Sequence, residues 1–244
     1  MRPDIDLRAY LDTRGAKILL LLTLPILVAF ALLGGLIQPA LMEPAVSDVE
    51  LTFFVLTLPL SLIIPVVTVM IIAGEWSDSS VQNTFLQRPG RLAVLGSKAI
   101  AALVMFVALV GVSIGLAAGA TWIGGELIGE GTVFSSFEGL LTTHLAMLIA
   151  VFLFSLAVAV LLQSTVIGLV IAIGVPFVVT TAAGLTMAFG SDLAADIVRA
   201  VDLQTAAVLA ADGEATAFEL IPLLLLVVVP LALGTRRWNL REVN

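Results

Sequence analysis

The feature that most constrains this chain is a series of long hydrophobic segments that contain no Lys or Arg. A helix that crosses the hydrocarbon core of a bilayer needs about 20 mostly apolar residues. A Lys or Arg at its centre costs roughly 2.5 to 3.5 kcal/mol. The sequence therefore predicts a single transmembrane domain over residues 1–244 with six spans. These are residues 18–42, 51–74, 99–123, 139–162, 165–190 and 217–235.

The composition favours the same class of protein. The chain is 60% hydrophobic and 12% charged, and its mean hydropathy is +1.17, whereas soluble domains carry about 25% charged residues. It has no Cys and one His, which excludes thiolate chemistry and any multi-histidine metal site within one chain. A membrane protein without a metal or cofactor of its own is expected.

Backbone groups inside a bilayer must pair internally, so the spans are expected to be helices. The ten-residue alternation of barrel strands is missing from the sequence. The run from Gly139 to Ser191 carries no formal charge and is too long for one crossing, and Gln163, Ser164 and Thr165 near its middle predict a tight turn. The predicted fold class is an all-α polytopic membrane protein with six transmembrane helices.

The positive charges predict which way the chain faces. Cytoplasmic loops of membrane proteins carry an excess of Lys and Arg. Ten of the eleven Lys and Arg residues lie in three stretches on one side of the predicted spans, and most carboxylates lie on the other. We expect a multi-pass protein of the cell membrane with both termini in the cytoplasm. The three stretches hold Arg2, Arg8, Arg14 and Lys17; Arg88, Arg91 and Lys98; and Arg236, Arg237 and Arg241.

Two segments outside the spans have helical patterns. Residues 1–17 predict a cytoplasmic interfacial helix, with a frayed polar tail as the alternative. Residues 191–216 predict an extracellular helical segment before the last span. Its apolar stripe suits the outer membrane interface or an ordinary amphipathic surface helix.

The cytoplasmic loop over residues 75–98 has a shape suited to docking. Ser77 or Asp78 can cap a helix, and Pro89 and Gly90 end it, which predicts a short helix over residues 79–88. A helix at the membrane surface that projects Phe85 into the cytosol could dock into a groove of another protein. The alternative is a helix that packs on its own bundle.

This loop resembles the membrane subunit of type-2 ABC transporters, the export-type permease family. A Glu ends the second span, a Ser- and Thr-bearing short helix follows, and an Arg and a Lys lead into the third span. Ser79 stands where the family usually has Gly. The resemblance implies a coupling helix that contacts an ATPase. The residues assigned to this contact are Glu75, Ser80, Val81, Thr84, Phe85, Leu86, Arg88 and Arg91.

The resemblance also implies partners. Two cytoplasmic ABC ATPases would bind beneath two permeases, identical or related, and would hold the ATP and Mg²⁺. This chain itself would have no catalytic residue, because Gly96, Ser97 and Lys98 do not have the order or spacing of a phosphate-binding loop. Membrane lipids are the other expected partner, and nucleic acid is not one. We expect a hydrophobic or amphipathic substrate.

Other residues invite specific predictions. Gly111, Gly115 and Gly119 form a small-residue stripe, which we expect to pack within the bundle rather than against a second permease. Pro59 and Pro65 predict a hinge in the second span, with irregular packing as the alternative.

Three polar residues near span ends also carry predictions. Lys98 is expected to anchor its helix at the headgroups. His144 is expected to be an interfacial histidine without a carboxylate nearby, and Glu219 to mark the outer interface.

Two other functions remain open from the sequence. An ion-driven secondary transporter usually needs a charged residue buried in its spans, and none is evident in the predicted ones. A non-transporting membrane protein, such as an immunity factor, an assembly factor or a regulatory subunit, is the other alternative.

Overall fold

The computed structural model describes residues 1–41, 43, 45–77, 80–87, 90–134, 140–189 and 192–240. Within these residues, six helices are long and apolar enough to cross a membrane, which confirms the predicted all-α polytopic fold. Their bounds are Arg14–Leu41, Val49–Ser77, Arg91–Leu127, Thr142–Leu162, Thr165–Thr186 and Ala217–Leu240.

The helices and strands follow one another along the chain with short connections. The order is α1 (Pro3–Asp12), α2 (Arg14–Leu41), β1 (Val46–Asp48), α3 (Val49–Ser77), α4 (Val81–Gln87), α5 (Arg91–Leu127), β2 (Gly131–Val133), α6 (Leu145–Leu162), α7 (Thr165–Phe189), α8 (Asp192–Arg199), α9 (Leu203–Ala211), α10 (Leu220–Leu223) and α11 (Val229–Leu240). A π-helical turn, Leu140–His144, leads into α6, and another, Leu224–Val228, joins α10 to α11.

Helix α3 lies at the centre of the bundle. It packs against α2, α5, α6 and α7, and Phe53, Leu56, Leu60 and Ile64 along it are almost fully buried. Helix α7, in contrast, exposes Val166, Val170 and Phe177 along its length. The bundle therefore has a packed centre and one largely open apolar side.

The two ends of the bundle differ in the elements that they hold. One end carries α1, α4, the start of α5 and the end of α11, which are joined by hydrogen bonds such as Arg91 Nη1 to Asn239 O at 3.1 Å. We call it the basic face, because it holds the described residues of the three basic stretches. The opposite end, which we call the acidic face, carries β1, β2, α8 and α9.

The acidic face contains a strand pair that the sequence did not predict. Strands β1 and β2 are parallel and pair Val46 with Gly131 and Asp48 with Val133. The Ser47 hydroxyl donates to Gly35 O at 3.0 Å, and Asp48 N donates to Gln38 Oε1 at 2.7 Å. The connections that follow α2 and α5 are thus tied together at the end of the bundle.

The predicted packing of the glycine stripe is wrong. A Cβ built at Gly111, Gly115 or Gly119 meets nothing within 4 Å, so the stripe lies on the outward side of α5. The close approach uses other glycines: a Cβ at Gly35 would overlap Ala120 O, and one at Gly124 would overlap Gly35 O. The buried side of α5 is the one that carries Ala117, Ala120, Thr121 and Gly124, because that side crosses α2.

The two prolines of the predicted hinge are buried in a continuous α3. Pro59 and Pro65 remove one amide donor each, yet the helix runs unbroken from Val49 to Ser77. The Thr57 and Ser61 hydroxyls donate to Phe54 O and Leu58 O at 2.6 and 2.7 Å. The hinge remains a prediction.

The segment before the last span forms two helices, α8 and α9. Asp202 caps α9 by accepting from Thr205 N at 3.0 Å, and α9 packs on α6. Leu193 and Ile197 of α8 stay exposed. Helix α9 is therefore packed on the bundle, whereas α8 keeps an exposed apolar side that suits an interface.

Two predictions about the acidic face need correction or detail. His144 does have a carboxylate nearby, because its Nε2 lies 3.9 Å from Glu50 Oε1; the second span begins next to the fourth at this end. Glu219 is buried, accepts from Arg199, and closes a capping box with Thr216 at the start of the last span. It has a structural role beyond marking the interface.

Candidate functional site

The predicted coupling helix exists as α4, and it is held to the end of α3 through Glu75. Ser80 N donates to Glu75 O at 3.0 Å, and the Thr84 hydroxyl donates to Glu75 Oε2 at 2.9 Å. Val81 is buried beneath the helix. The first turn of α4 and Thr84 are thereby fixed on the end of α3.

The other oxygen of Glu75 binds Lys98 of α5, and we call these two residues, with Ser80 and Thr84, the clamp. Lys98 Nζ lies 2.8 Å from Glu75 Oε1 and donates to Ile71 O at 3.3 Å. The lysine side chain is only 4% exposed, so the predicted headgroup anchor is wrong. The reason is that Glu75 and Ile71 lie one turn apart on the side of α3 that faces α5, and they offer the ammonium group two acceptors.

A cluster of three aromatic rings supports the opposite side of this clamp. Trp76 and Trp238 approach to 5.2 Å between ring centroids, and Phe85 lies 6.0 Å from Trp76 and 6.4 Å from Trp238. The Arg91 guanidinium lies 5.0 Å above the Phe85 ring. The cluster joins the ends of α3 and α11 to α4.

This cluster overturns the predicted direction of Phe85. The ring packs on its own bundle and is half-buried, because Trp238 from the far end of the chain offers it an apolar wall. The outward side of α4 instead carries Gln82, Asn83, Leu86 and Gln87, and Leu86 is 84% exposed. Any partner that contacts α4 would meet the Leu86 side chain, surrounded by the side-chain amides of Gln82, Asn83 and Gln87.

The predicted site residues thus separate into three groups. Glu75, Ser80 and Thr84 form the clamp together with Lys98, whereas Val81 and Phe85 pack inward with Arg91 over the ring, and only Leu86 points away from the bundle. Arg88, together with Ser79, lies outside the described residues.

The sequence did not single out the link between α1 and α5. Arg2 N donates to the Ser97 hydroxyl at 3.1 Å, and this hydroxyl in turn donates to Asp6 Oδ2. Asp6 and Tyr10 are buried against the bundle. The available signal was an Asp and a Tyr four residues apart on one side of a short helix, which is the spacing of neighbours on a helical face.

The comparisons with known proteins do not identify the chain. No family model, no curated protein and no solved structure matches it. Within the part of the chain that the structure describes, no group of three or more His, Cys, Asp or Glu side chains is placed to hold a metal ion. The function must therefore be argued from the geometry at the basic face.

Proposed function

We propose that this chain is the permease subunit of an ATP-driven ABC exporter, which moves a hydrophobic or amphipathic substrate outward. The observation that carries the proposal is the mounting of α4. It is a short helix between the second and third spans, clamped inward by Glu75 and aromatic rings, with Leu86 exposed on its outer side. A helix mounted in this way can receive a push and pass it to two spans.

Glu75 connects the three elements that would transmit a displacement of α4. Its carboxylate joins Thr84 of α4 to Lys98 of α5, and its backbone belongs to α3. Displacing α4 would therefore shift α3 and α5 together, and Trp238 would carry the shift to α11. An ATPase that binds α4 differently in its two nucleotide states would bias two packings of the bundle.

The proposed complex needs partners that supply ATP hydrolysis and a second set of membrane spans. ATP and Mg²⁺ would be bound by cytoplasmic ABC ATPase subunits beneath α4. The open apolar side of α7 and the glycine stripe of α5 would face lipid or a second permease, identical or related. In this arrangement the basic face is cytoplasmic, in accordance with the excess of Lys and Arg there.

The test is gentle purification of the chain from its own cell membrane, followed by assay of ATPase activity. Leu86→Asp is expected to reduce recovery of the ATPase at least tenfold while insertion stays unchanged, because it places a charge in the docking surface. Leu127→Asp is the matched control: Leu127 is 77% exposed but lies at the end of α5 toward the acidic face. Recovery of an active carrier without an ATPase would contradict the proposal.

One observation favours an ion-driven carrier as the second candidate. Lys98 is buried at the basic end of a spanning helix and pairs with Glu75, whose side chain is 24% exposed, and ionisable residues inside spans serve ion coupling in such carriers. Transport by the purified chain in vesicles, driven by a proton or sodium gradient without ATP, would favour this candidate over the exporter.

A further inference from the structure

The outward side of α11 carries two arginines between two leucines. These side chains are exposed, recur at the spacing of one helical face, and line one open depression of about 500 Å³ at the basic face. The buried side of the same helix carries Gly234 and Trp238, so the depression faces away from the bundle. We call its lining the arginine stripe, which consists of Leu233, Arg236, Arg237 and Leu240.

The charge of the arginine stripe is not neutralised by the part of the chain that the structure describes. Within that part, neither Arg236 nor Arg237 forms an ion pair with a carboxylate. The described lining of the depression holds no acidic side chain. Two guanidinium groups therefore give the depression a formal charge of +2, which favours an anion.

One of the two arginines is held in place by a neighbouring helix. Arg237 Nη1 donates to Leu161 O at 3.1 Å, in the last turn of α6, where carbonyl groups have no partner within their own helix. This bond leaves other N–H donors of the guanidinium free. Because a guanidinium binds phosphate oxygens through paired hydrogen bonds, and because Arg236 lines the same depression, a phosphate group suits this site.

The apolar residues before the arginines indicate that the phosphate belongs to a lipid. Val229 and Leu233 precede Arg237 by two turns and one turn and are exposed, on a helix that is long and apolar enough to cross a membrane. The arginines stand at the end of this apolar run, where Lys and Arg meet lipid headgroups. A phospholipid fits both parts, with its phosphate at the arginines and an acyl chain along Val229 and Leu233.

We infer that the arginine stripe binds the headgroup of an anionic phospholipid, with the phosphate on Arg236 and Arg237. A headgroup without an ammonium, such as that of phosphatidylglycerol, keeps a net negative charge, whereas phosphatidylcholine and phosphatidylethanolamine are neutral overall. Because the described lining offers an ammonium no carboxylate, the anionic lipid is favoured. The assignment of this lipid to the cytoplasmic leaflet rests on the orientation in the proposed function; the binding itself does not.

Binding can be measured on the purified full chain by native mass spectrometry, without any ATPase. Phosphatidylglycerol, phosphatidylcholine and phosphatidylethanolamine are offered in equal amounts, and separate samples receive inorganic phosphate. We expect phosphatidylglycerol to be retained at least about fivefold better than either neutral lipid. Inorganic phosphate, which lacks the acyl chain, is expected not to be retained.

Three variants localise the binding. Arg236→Gln removes one charge at an exposed residue without an ion pair in the described chain, and is expected to weaken retention of phosphatidylglycerol about fivefold. Arg236→Lys keeps the charge without the paired hydrogen bonds, and its retention should lie between those two. Arg14→Gln is the matched control, because Arg14 is exposed at the basic end of another spanning helix. It should change retention less than about twofold.

The results that would overturn the inference differ from those that would sink the exporter proposal. Equal retention of phosphatidylglycerol and phosphatidylcholine would overturn it, and so would unchanged retention in Arg236→Gln. An equal loss in Arg14→Gln would reduce the effect to general attraction by the basic face. Retention of inorganic phosphate without a preference among the lipids would replace the lipid by a free anion. The selectivity of the unchanged chain decides even if a variant does not fold, and absence of an ATPase partner would leave the lipid result standing.

Discussion

Two junctions of the bundle, one at each face, are held together by different kinds of contact. At the basic face, side chains join α1, α3, α4 and α5: Glu75 binds Lys98 and Thr84, and Asp6 binds Ser97. At the acidic face, backbone lies against backbone where α2 crosses α5, and a strand pair joins the connections that follow these helices. Side chains can change partners while helices move, whereas glycine contacts without Cβ atoms allow little displacement.

This difference indicates where the molecule can change shape. The basic face holds the clamp and the exposed side of α4, both within elements that are joined through side chains. The acidic face resembles a fixed base for α2 and α5. A switch that is driven from α4 would then open or close the basic end around the glycine crossing.

The largest effect is expected from breaking the clamp. Glu75→Ala leaves the Lys98 ammonium buried without its carboxylate, which should lower the free energy of unfolding by about 4 kcal/mol. Unfolding in mixed micelles of mild detergent and dodecyl sulfate measures the loss. An unchanged unfolding curve would show that the pair contributes nothing to holding the basic face.

A double variant separates stability from coupling in the same clamp. Glu75→Leu with Lys98→Leu replaces the ion pair by apolar packing and should recover most of the lost stability. If the clamp also transmits the push from α4, the double variant should fold but fail to link ATPase activity to transport. Full coupling in the double variant would limit the pair to a structural role.

The sequence predicted the parts of the fold that depend on local pattern. Six apolar segments gave six spans, and the residues from Ser77 to Gly90 gave a short helix close to the observed α4. It could not predict partners that are distant in the chain. Phe85 turns inward because Trp238 meets it there, and Lys98 is buried because Glu75 and Ile71 receive it.

The wrong prediction for the glycine stripe and the unpredicted strand pair have a further physical reason. Small residues on a span look the same in sequence whether they pack or face outward, so Gly115 was assigned to the packed interior in place of Gly124. Strands of three residues, as in β1 and β2, are too short to show alternation. The identity of the packed side depends on helix rotation, which is set by the whole bundle.

The second-largest effect on the free energy of unfolding is expected from a substitution at the acidic face. Gly124→Ala adds a Cβ that would overlap Gly35 O, and the helices must move apart, which should cost about 2 kcal/mol. The same unfolding experiment measures it. Gly115→Ala is the matched control, because a Cβ there meets nothing within 4 Å, and its stability should be equal or slightly higher. Equal stability of both variants would show that the crossing of α2 and α5 tolerates displacement and is not a fixed base.

The smallest effect concerns Tyr10, which belongs to the basic face and is the only Tyr in the chain. Burial raises its pKa from 10.0 to about 12, so the folded chain holds the proton where the unfolded chain has already lost it. The resulting stability is complete below pH 10 and is lost as the pH rises from 10 to about 12. Ultraviolet absorbance of tyrosinate should follow this late titration in the native protein and an ordinary one after unfolding. Native titration near pH 10 would mean that the hydroxyl lies in water and that α1 is not packed on the bundle at this residue.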